Sequence, residues 1–266
     1  MTTHDFYNPI KARLKNGQKT AGAFLQIPHS IPAEIFGQAG FDWLIVDMEH
    51  AAGDYGNLLV QLQAISASGT VPFVRPPWND DVAIKKILDL GAKGVLVPYV
   101  NSGAEAASAV AACRYPPAGV RGVAGSTRAA RYGKNIRNYL ESANREIIVI
   151  VAIETRQAMD NLDDILAVDD LDGVFIGPMD LATNLGHPGN PNHAEVKAAF
   201  AEIEKKVLAS DKFLGTLTTT WERTEECFAK GYQWLIVMQD GSALVAAAGA
   251  MADRIRATYG GDDGKP

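Results

Sequence analysis

The chain has 266 residues, 47% of them hydrophobic and 21% charged, with a net charge of −6. That length is close to the roughly 250 residues of one (β/α)₈ barrel, and it buries enough apolar surface to fold without disulfides or a structural metal. The acidic balance excludes the basic footprint of non-specific nucleic-acid binding, and no run of about 18 apolar residues is present to cross a membrane.

The first residues, MTTHDFYNPIKARL, contain no apolar core of a secretory signal. An N-terminal helix is expected ahead of the first strand. Eight short apolar runs follow in order: Gly22–Ile27, Trp43–Met48, Pro72–Arg75, Gly94–Pro98, Ile147–Ile153, Gly173–Ile176, Phe213–Thr218 and Trp234–Met238. They are near-continuous in Val, Ile and Leu, as strands covered on both faces must be. Helical segments with start signals lie between them. Ser30-Ile-Pro opens one, and Asn79-Asp-Asp leads into AIKKILDLG, which stops at Gly91. Thr155 opens a helix through Leu166, and Glu195–Ala209 is amphipathic at helical spacing. Alternating strand and helix predicts an α/β fold with right-handed crossovers, and eight units favour closure into a single (β/α)₈ barrel over residues 1–266, with its core at about 20–258. The stretch 114–138, RYPPAGVRGVAGSTRAARYGKNIRN, reads as one long glycine-rich basic loop, and 259–266 as a frayed tail. Cys113 and Cys227 are the two cysteines, with no CxxC pair, which argues against a disulfide framework or a zinc site and for a reducing, cytoplasmic setting.

In such a barrel the chemistry gathers at the C-terminal ends of the strands. The polar residues there are Asp47-Met-Glu-His50, Arg75, Glu154, Gly177-Pro-Met-Asp180, Thr218 and Gln239-Asp240. Twenty-five positions separate His50 from Arg75 and 26 separate Glu154 from Asp180, about one βα unit each, so neighbouring strands bring each pair to a common rim. Two carboxylates without Cys or paired His ligands suit a hard cation, Mg²⁺ or Mn²⁺. An arginine suits a carboxylate or a developing oxyanion, and a histidine three residues after Asp47 suits acid/base work. Together these residues make a site for enolate chemistry. Each also has a plainer reading: Glu154 as a helix cap, Arg75 as a partner of a loop carboxylate, His50 and His29 as loop histidines. Trp78 and Trp221 lie near the rim as wall or as packing. A Schiff-base lysine is disfavoured, since Lys85 and Lys86 fall mid-helix and Lys93 and Lys212 precede strands at the opposite mouth. Gly119-x-x-Gly122-x-x-Gly125 neither follows a strand nor opens a helix, so it reads as a turn-rich loop, not a phosphate cradle. The alanine-rich 243–252 has no basic polar face, so packing or subunit contact suits it better than a membrane surface.

Five segments, AGFDWLIVDMEH (39–50), VPFVRPPWND (71–80), RYPPAGVRG (114–122), IVAIETRQAM (150–159) and DGVFIGPMDLATNLG (172–186), resemble the class II hydroxy-ketoacid aldolases in order and spacing. The resemblance covers roughly Thr20 to Arg256. It implies a barrel of the phosphoenolpyruvate/pyruvate type that reversibly cleaves 4-hydroxy-2-oxoacids to pyruvate and an aldehyde through a metal-bound pyruvate enolate. It further implies Glu154 and Asp180 as ligands of Mg²⁺ or Mn²⁺, with Co²⁺ or Zn²⁺ as substitutes. Arg75 then stands beside the pyruvate oxygens, His50 is the acid/base group working with a water, and Asp47 orients it. The backbone of Gly177, Pro178 and Met179 holds the pyruvate carboxylate. A hexamer with 243–258 exchanged between subunits is implied as well.

Two departures stand out. Relatives often carry Gln where this chain has Ala152, which implies a more open pocket floor, and Trp where it has Phe24. Gln26 lies on the same inward face as Phe24 and is placed to supply the missing amide, so Phe24 and Gln26 join the substrate-binding set. A CoA-ester lyase of the citrate-lyase-like group, an oxaloacetate decarboxylase and a catalytically silent barrel are the alternatives.

Overall fold

Runs of β-branched residues with no polar alternation can bury both faces only inside a covered sheet, and that is how they fold. The computed structural model describes residues 6–260. Its strands are β1 (Thr20–Leu25), β2 (Trp43–Asp47), β3 (Val71–Arg75), β4 (Gly94–Val97), β5 (Ile148–Ile153), β6 (Gly173–Ile176), β7 (Phe213–Leu217) and β8 (Trp234–Gln239). All pair in parallel and close in chain order, β8 returning to β1. The helices are α1 (Pro9–Lys15), α2 (Ser30–Gln38), α3 (Tyr55–Ser68), α4 (Asp81–Asp89), α5 (Gly103–Cys113), α6 (Ile136–Glu146), α7 (Arg156–Asp160), α8 (Leu162–Leu166), α9 (Pro178–Asn184), α10 (Ala194–Leu208), α11 (Trp221–Lys230) and α12 (Asp240–Tyr259). No described helix is long and apolar enough to cross a membrane.

Period-two alternation sorts the strand side chains into two shells. Leu44, Val46, Val74, Val95, Val97, Val149, Val151 and Leu214 pack outward with helix residues such as Leu58, Ile84 and Ile203. Phe24, Trp43, Ile45, Phe73, Phe175, Phe213 and Trp234 fill the bore. Trp43 and Trp234 stack at 3.9 Å, and Phe73 and Phe175 meet Trp234 edge-on. Register makes room for this plug. Gly22 pairs with Trp43, Gly94 with Phe73, Gly173 with Phe213 and Gly215 with Trp234. A Cβ at Gly22 would stand 2.1 Å from the Trp43 ring, and one at Gly94 would stand 2.3 Å from Phe73.

Several boundaries differ from the sequence expectation, each for a physical reason. β1 ends at Leu25 because the amides of Gln26 and Ile27 donate to the buried Asp240 carboxylate, at 2.8 and 3.0 Å, instead of to a neighbouring strand. The single helix expected from Thr155 to Leu166 is two, broken at Asn161, whose side-chain amide donates to Asn101 O. The long loop ends early: α6 begins at Ile136 and buries Tyr139, Ser142 and Ala143. Its basic character is partly internal. Arg114 and Arg121 are buried, and Arg121 donates to Asp89 and Tyr139 with its guanidinium against the Tyr115 ring. Gly119 allows the close pass of that loop over α5, since a Cβ there would stand 2.3 Å from Ala111 O. Of the expected tail, residues 261–266 lie outside the described residues, and Tyr259 closes α12. Both cysteines are free and buried, and burial pushes each thiol up to about 11.

Candidate functional site

The last residues of β2 and β3, Asp47 and Arg75, are register partners and therefore emerge side by side at the C-terminal rim. Arg75 Nε donates to Asp47 Oδ1 (3.0 Å) and Nη2 to Oδ2 (2.7 Å), a two-point pair between buried groups. Asp47 also accepts from Gln26 Nε2 (3.0 Å) and from the amides of Glu49 (3.0 Å) and His50 (3.3 Å). Burial alone would raise its pKa, but the hydrogen bonds and charge of Arg75, with Gln26 and the Glu49 amide, hold it below the ordinary carboxylate value. Burial likewise opposes the charge on Arg75, and Asp47 and Glu49 more than restore it. Phe24 lies beneath, its ring 4.6 Å from the guanidinium carbon.

Glu154 follows β5 and is buried; its Oε2 accepts the Tyr99 amide at 3.1 Å. Burial, with Asp180 and Glu49 adding like charge, outweighs the Tyr99 amide and Arg75 and pushes its pKa up to about 7. Gly177 packs against it so closely that a Cβ would stand 2.4 Å from Glu154 Oε1. Asp180 lies in the first turn of α9, and its Oδ1 accepts from Tyr99 Oη at 3.5 Å. Tyr99 holds an uncommon positive φ of 52°, so one residue directs its amide to Glu154 and its phenol to Asp180. Its ring stacks on the exposed Trp78 at 5.8 Å.

Sequence reasoning passed over Glu49. Its carboxylate lies 3.1 Å from Arg75 Nε and 3.6 Å from His50 Nε2, and its Oε2 is buried without a well-aligned hydrogen bond. Burial raises its pKa, and Asp47 and Asp180 add to this against Arg75 and His50. Its place in the run Asp47-Met-Glu-His50 was the available signal. The imidazole of His50 is 54% exposed, and the carboxylate beside it is Glu49, while Asp47 meets His50 through the main chain. Tyr99 was also passed over, because it reads as the end of an apolar strand.

Other expected residues fall as follows. Ala152 is buried in the bore with Phe24 and Phe175, which corrects the expectation of an open floor. Phe24 is itself nearly inaccessible, and Gln26 is held by Asp47, so both reach the rim through Arg75 and Asp47 and not as a free wall. Gly177 and Pro178 start α9, and Met179 is exposed at the rim. His29 caps α2, its Nδ1 accepting the Ile31 amide. Trp221 is exposed at the start of α11. Lys93 and Lys212 lie at the far mouth, where Lys93 Nζ donates to Tyr7 O. A cavity of about 560 Å³, lined by Lys11, Asp172 and Lys212 among others, opens at that mouth and away from the rim.

Asp47, Glu49 and Glu154 thus gather about one guanidinium, with Asp180 adding its charge beside Glu154 and Glu49. The deficit of positive charge, the all-oxygen donor set, the unsatisfied Glu49 Oε2 and the cradle over Glu154 that glycine leaves open fit a hard divalent cation. Glu154 and Asp180 would hold it, leaving coordination positions for a chelating substrate.

The family model for HpcH/HpaI aldolase/citrate lyase matches residues 20–247. A 4-hydroxy-2-oxo-heptane-1,7-dioate aldolase of Escherichia coli is 44% identical over 250 residues, 94% of this chain and 95% of that protein. Among solved structures, an HpcH/HpaI aldolase/citrate lyase family protein from Burkholderia cenocepacia superposes with a TM-score of 0.89 at 34% identity, covering 94% of this chain and 99% of the other. An HpcH/HpaI aldolase from Desulfitobacterium hafniense gives 0.86 at 28% identity, with 96% and 97% covered.

Proposed function

The chain belongs to the HpcH/HpaI aldolase/citrate lyase family, and on that premise we propose that it is a metal-dependent carbon–carbon lyase cleaving a 4-hydroxy-2-oxoacid reversibly to pyruvate and an aldehyde. The observation that carries the reading is the crowd of rim carboxylates near Arg75, more acidic groups than one guanidinium neutralises.

Glu154 and Asp180 would hold the cation, Mg²⁺ or Mn²⁺ with Co²⁺ and Zn²⁺ as substitutes, which would supply Lewis acidity to the bound 2-oxoacid. Arg75, fixed by Asp47, offers its remaining nitrogen to the oxygen that gains charge as the C3–C4 bond breaks. His50, exposed and able to work through a water, takes the proton of the 4-hydroxyl, with the Glu49 carboxylate 3.6 Å from its Nε2. Return of a proton to C3 gives pyruvate. Pro178 has no N–H, so in the Gly177–Met179 segment the amides left for the substrate carboxylate are those of Met179 and its neighbour Asp180. Phe24 and Gln26 position Arg75 and Asp47 for this work. Assembly into a hexamer through α12 is part of the reading. Its support is the apolar side of that helix, where Leu244, Val245, Met251 and Ile255 are all more than half exposed. A cytoplasmic setting agrees with two buried free thiols.

Exchange of the C3 protons of pyruvate in D₂O, followed by NMR, tests the proposal without any choice of aldehyde. Exchange that needs Mg²⁺ or Mn²⁺ and stops with EDTA is the expected result. Folded protein that exchanges nothing with any of these metals overturns the reading and moves the CoA-ester lyase forward.

Two further outcomes follow from the rim geometry. Tyr99→Phe removes the phenol from Asp180 and keeps the amide on Glu154, so Mn²⁺ affinity should fall about tenfold with the fold unchanged, as measured by titration calorimetry. Glu154 binds a proton in competition with metal below pH about 7, so affinity should drop roughly tenfold per pH unit under that value and level off above it. Its raised pKa also means that the metal-free folded state holds a proton which the unfolded chain releases from about pH 4.5. Metal-free stability should therefore decline as pH rises through that window to about 7, and bound metal should remove the decline.

A further inference from the structure

The connection from α9 to α10 carries a second cluster of metal-ligating side chains, apart from the rim carboxylates. We propose that His187, His193 and Glu195 form a site for a divalent transition metal of the Zn²⁺, Ni²⁺ or Co²⁺ class. One ligand atom from each of the three residues falls within 4.8 Å of the others, and among the described residues this is the group of three that meets that spacing.

The donor set differs in kind from the catalytic rim. Two imidazoles and one carboxylate are borderline ligands, which favour Zn²⁺, Ni²⁺ and Co²⁺ over Mg²⁺. The backbone already folds the ligands together. His187 N donates to Ala182 O at 2.8 Å, Asn190 N to His187 O at 3.0 Å and His193 N to Asn190 O at 3.1 Å. Gly186 and Gly189 take the positive φ angles, 87° and 72°, that turn the chain between them. His187 Nε2 lies 3.0 Å from Glu195 Oε2. His193 Nδ1 accepts the Glu195 amide at 3.3 Å, so Nε2 faces a metal once the ring takes the Nδ1–H tautomer and gives up that bond. The carboxylate is held from behind, since Arg156 Nη2 donates to Glu195 Oε1 at 2.8 Å while Oε2 stays on the histidine side. Outer partners of that sort fix a ligand's orientation. The two rings stack at 3.5 Å and 22° from parallel. Binding therefore asks two adjustments, release of the Glu195 amide from His193 Nδ1 and a splaying of the rings so that both lone pairs meet at about 2.1 Å from one ion.

A bound ion ties the start of α10 to the turn after α9, the helix that carries Asp180. It acts as a brace on that segment and takes no part in bond cleavage. The site stands on its own geometry and not on the aldolase reading.

The test uses tag-free full-length protein and Ni²⁺ alone as the probe. Asp180→Asn, which weakens the rim site, should still bind one Ni²⁺ per chain by equilibrium dialysis with Mg²⁺ in large excess. His187→Ala and His193→Gln in the Asp180→Asn background should each lose that equivalent. In the otherwise native protein the same two substitutions should keep Mg²⁺-supported pyruvate exchange. Ni²⁺ should also raise Tm by about 5 °C at a hundredfold excess over Kd, and that shift should vanish in His193→Gln. A chain carrying Asp180→Asn that binds no Ni²⁺, or histidine variants that keep the full equivalent, would overturn the proposal. Failure of pyruvate exchange with Ni²⁺ binding intact would count against the aldolase reading alone.

Discussion

Glu154→Ala should lower turnover by at least about 10³-fold while leaving the barrel folded, because the loss of a Lewis acid from enolate chemistry removes several kcal/mol of transition-state stabilisation. The structure says why the fold should survive. Glu154 is buried, pushed up to about 7, and set beside like charge from Asp180 and Glu49, so removing it relieves repulsion in the metal-free protein. Its Oε2 accepts from the Tyr99 amide, a partly buried contact. The measurements are kcat with saturating Mn²⁺ and thermal unfolding with and without metal. The expected pattern is lost turnover, an unchanged or slightly higher metal-free Tm, and no added stability from Mn²⁺. Wild-type turnover in this variant would refute Glu154 as a ligand. Glu154→Gln, which keeps the shape and the oxygen that accepts from Tyr99, separates loss of charge from loss of packing.

Arg75→Ala should injure both activity and fold. Arg75 is the cation that makes a two-point pair with Asp47, and both groups are buried. Removing it leaves an uncompensated charge at Asp47, a change that costs roughly 3–5 kcal/mol in comparable buried pairs. On the proposed mechanism it also removes the donor for the developing oxyanion, worth about 10²–10³ in kcat. Urea unfolding and single-turnover cleavage read the two effects separately. Arg75→Lys keeps the charge without the planar fork, so it should recover much of the stability and little of the rate. Adding Asp47→Asn to Arg75→Ala should restore stability but not turnover. Full stability in Arg75→Ala would show that the rim does not depend on this pair.

The barrel was legible because its strands are continuous apolar runs, which have no other stable home than a covered parallel sheet. The rim positions were legible where one strand end delivers one polar residue, as with Arg75 and Glu154. Legibility failed wherever a distant residue decides a local outcome. β1 stops early because Asp240, 214 positions away from Gln26, takes its amides. The helix after Thr155 is interrupted at Asn161, whose side chain reaches Asn101 O, 60 positions away. Tyr99 was invisible because nothing in an apolar run announces a left-handed backbone. Glu49 was masked by its neighbours: the resemblance assigns roles to Asp47 and His50, yet the carboxylate nearest the imidazole is the one between them. The pairing of strand glycines with aromatic rings could not be read either, since it depends on the register of adjacent strands.

That aromatic plug makes the barrel a vessel with one door. Trp43, Trp234, Phe73, Phe175 and Phe213 close the bore between the two mouths, all of them buried. Water, protons and a small-molecule substrate must enter and leave across the same ring of loops, so a molecule lodged in the far-mouth cavity cannot meet the substrate. Any change that admits a larger substrate has to be made in the loops, because the interior below is already full.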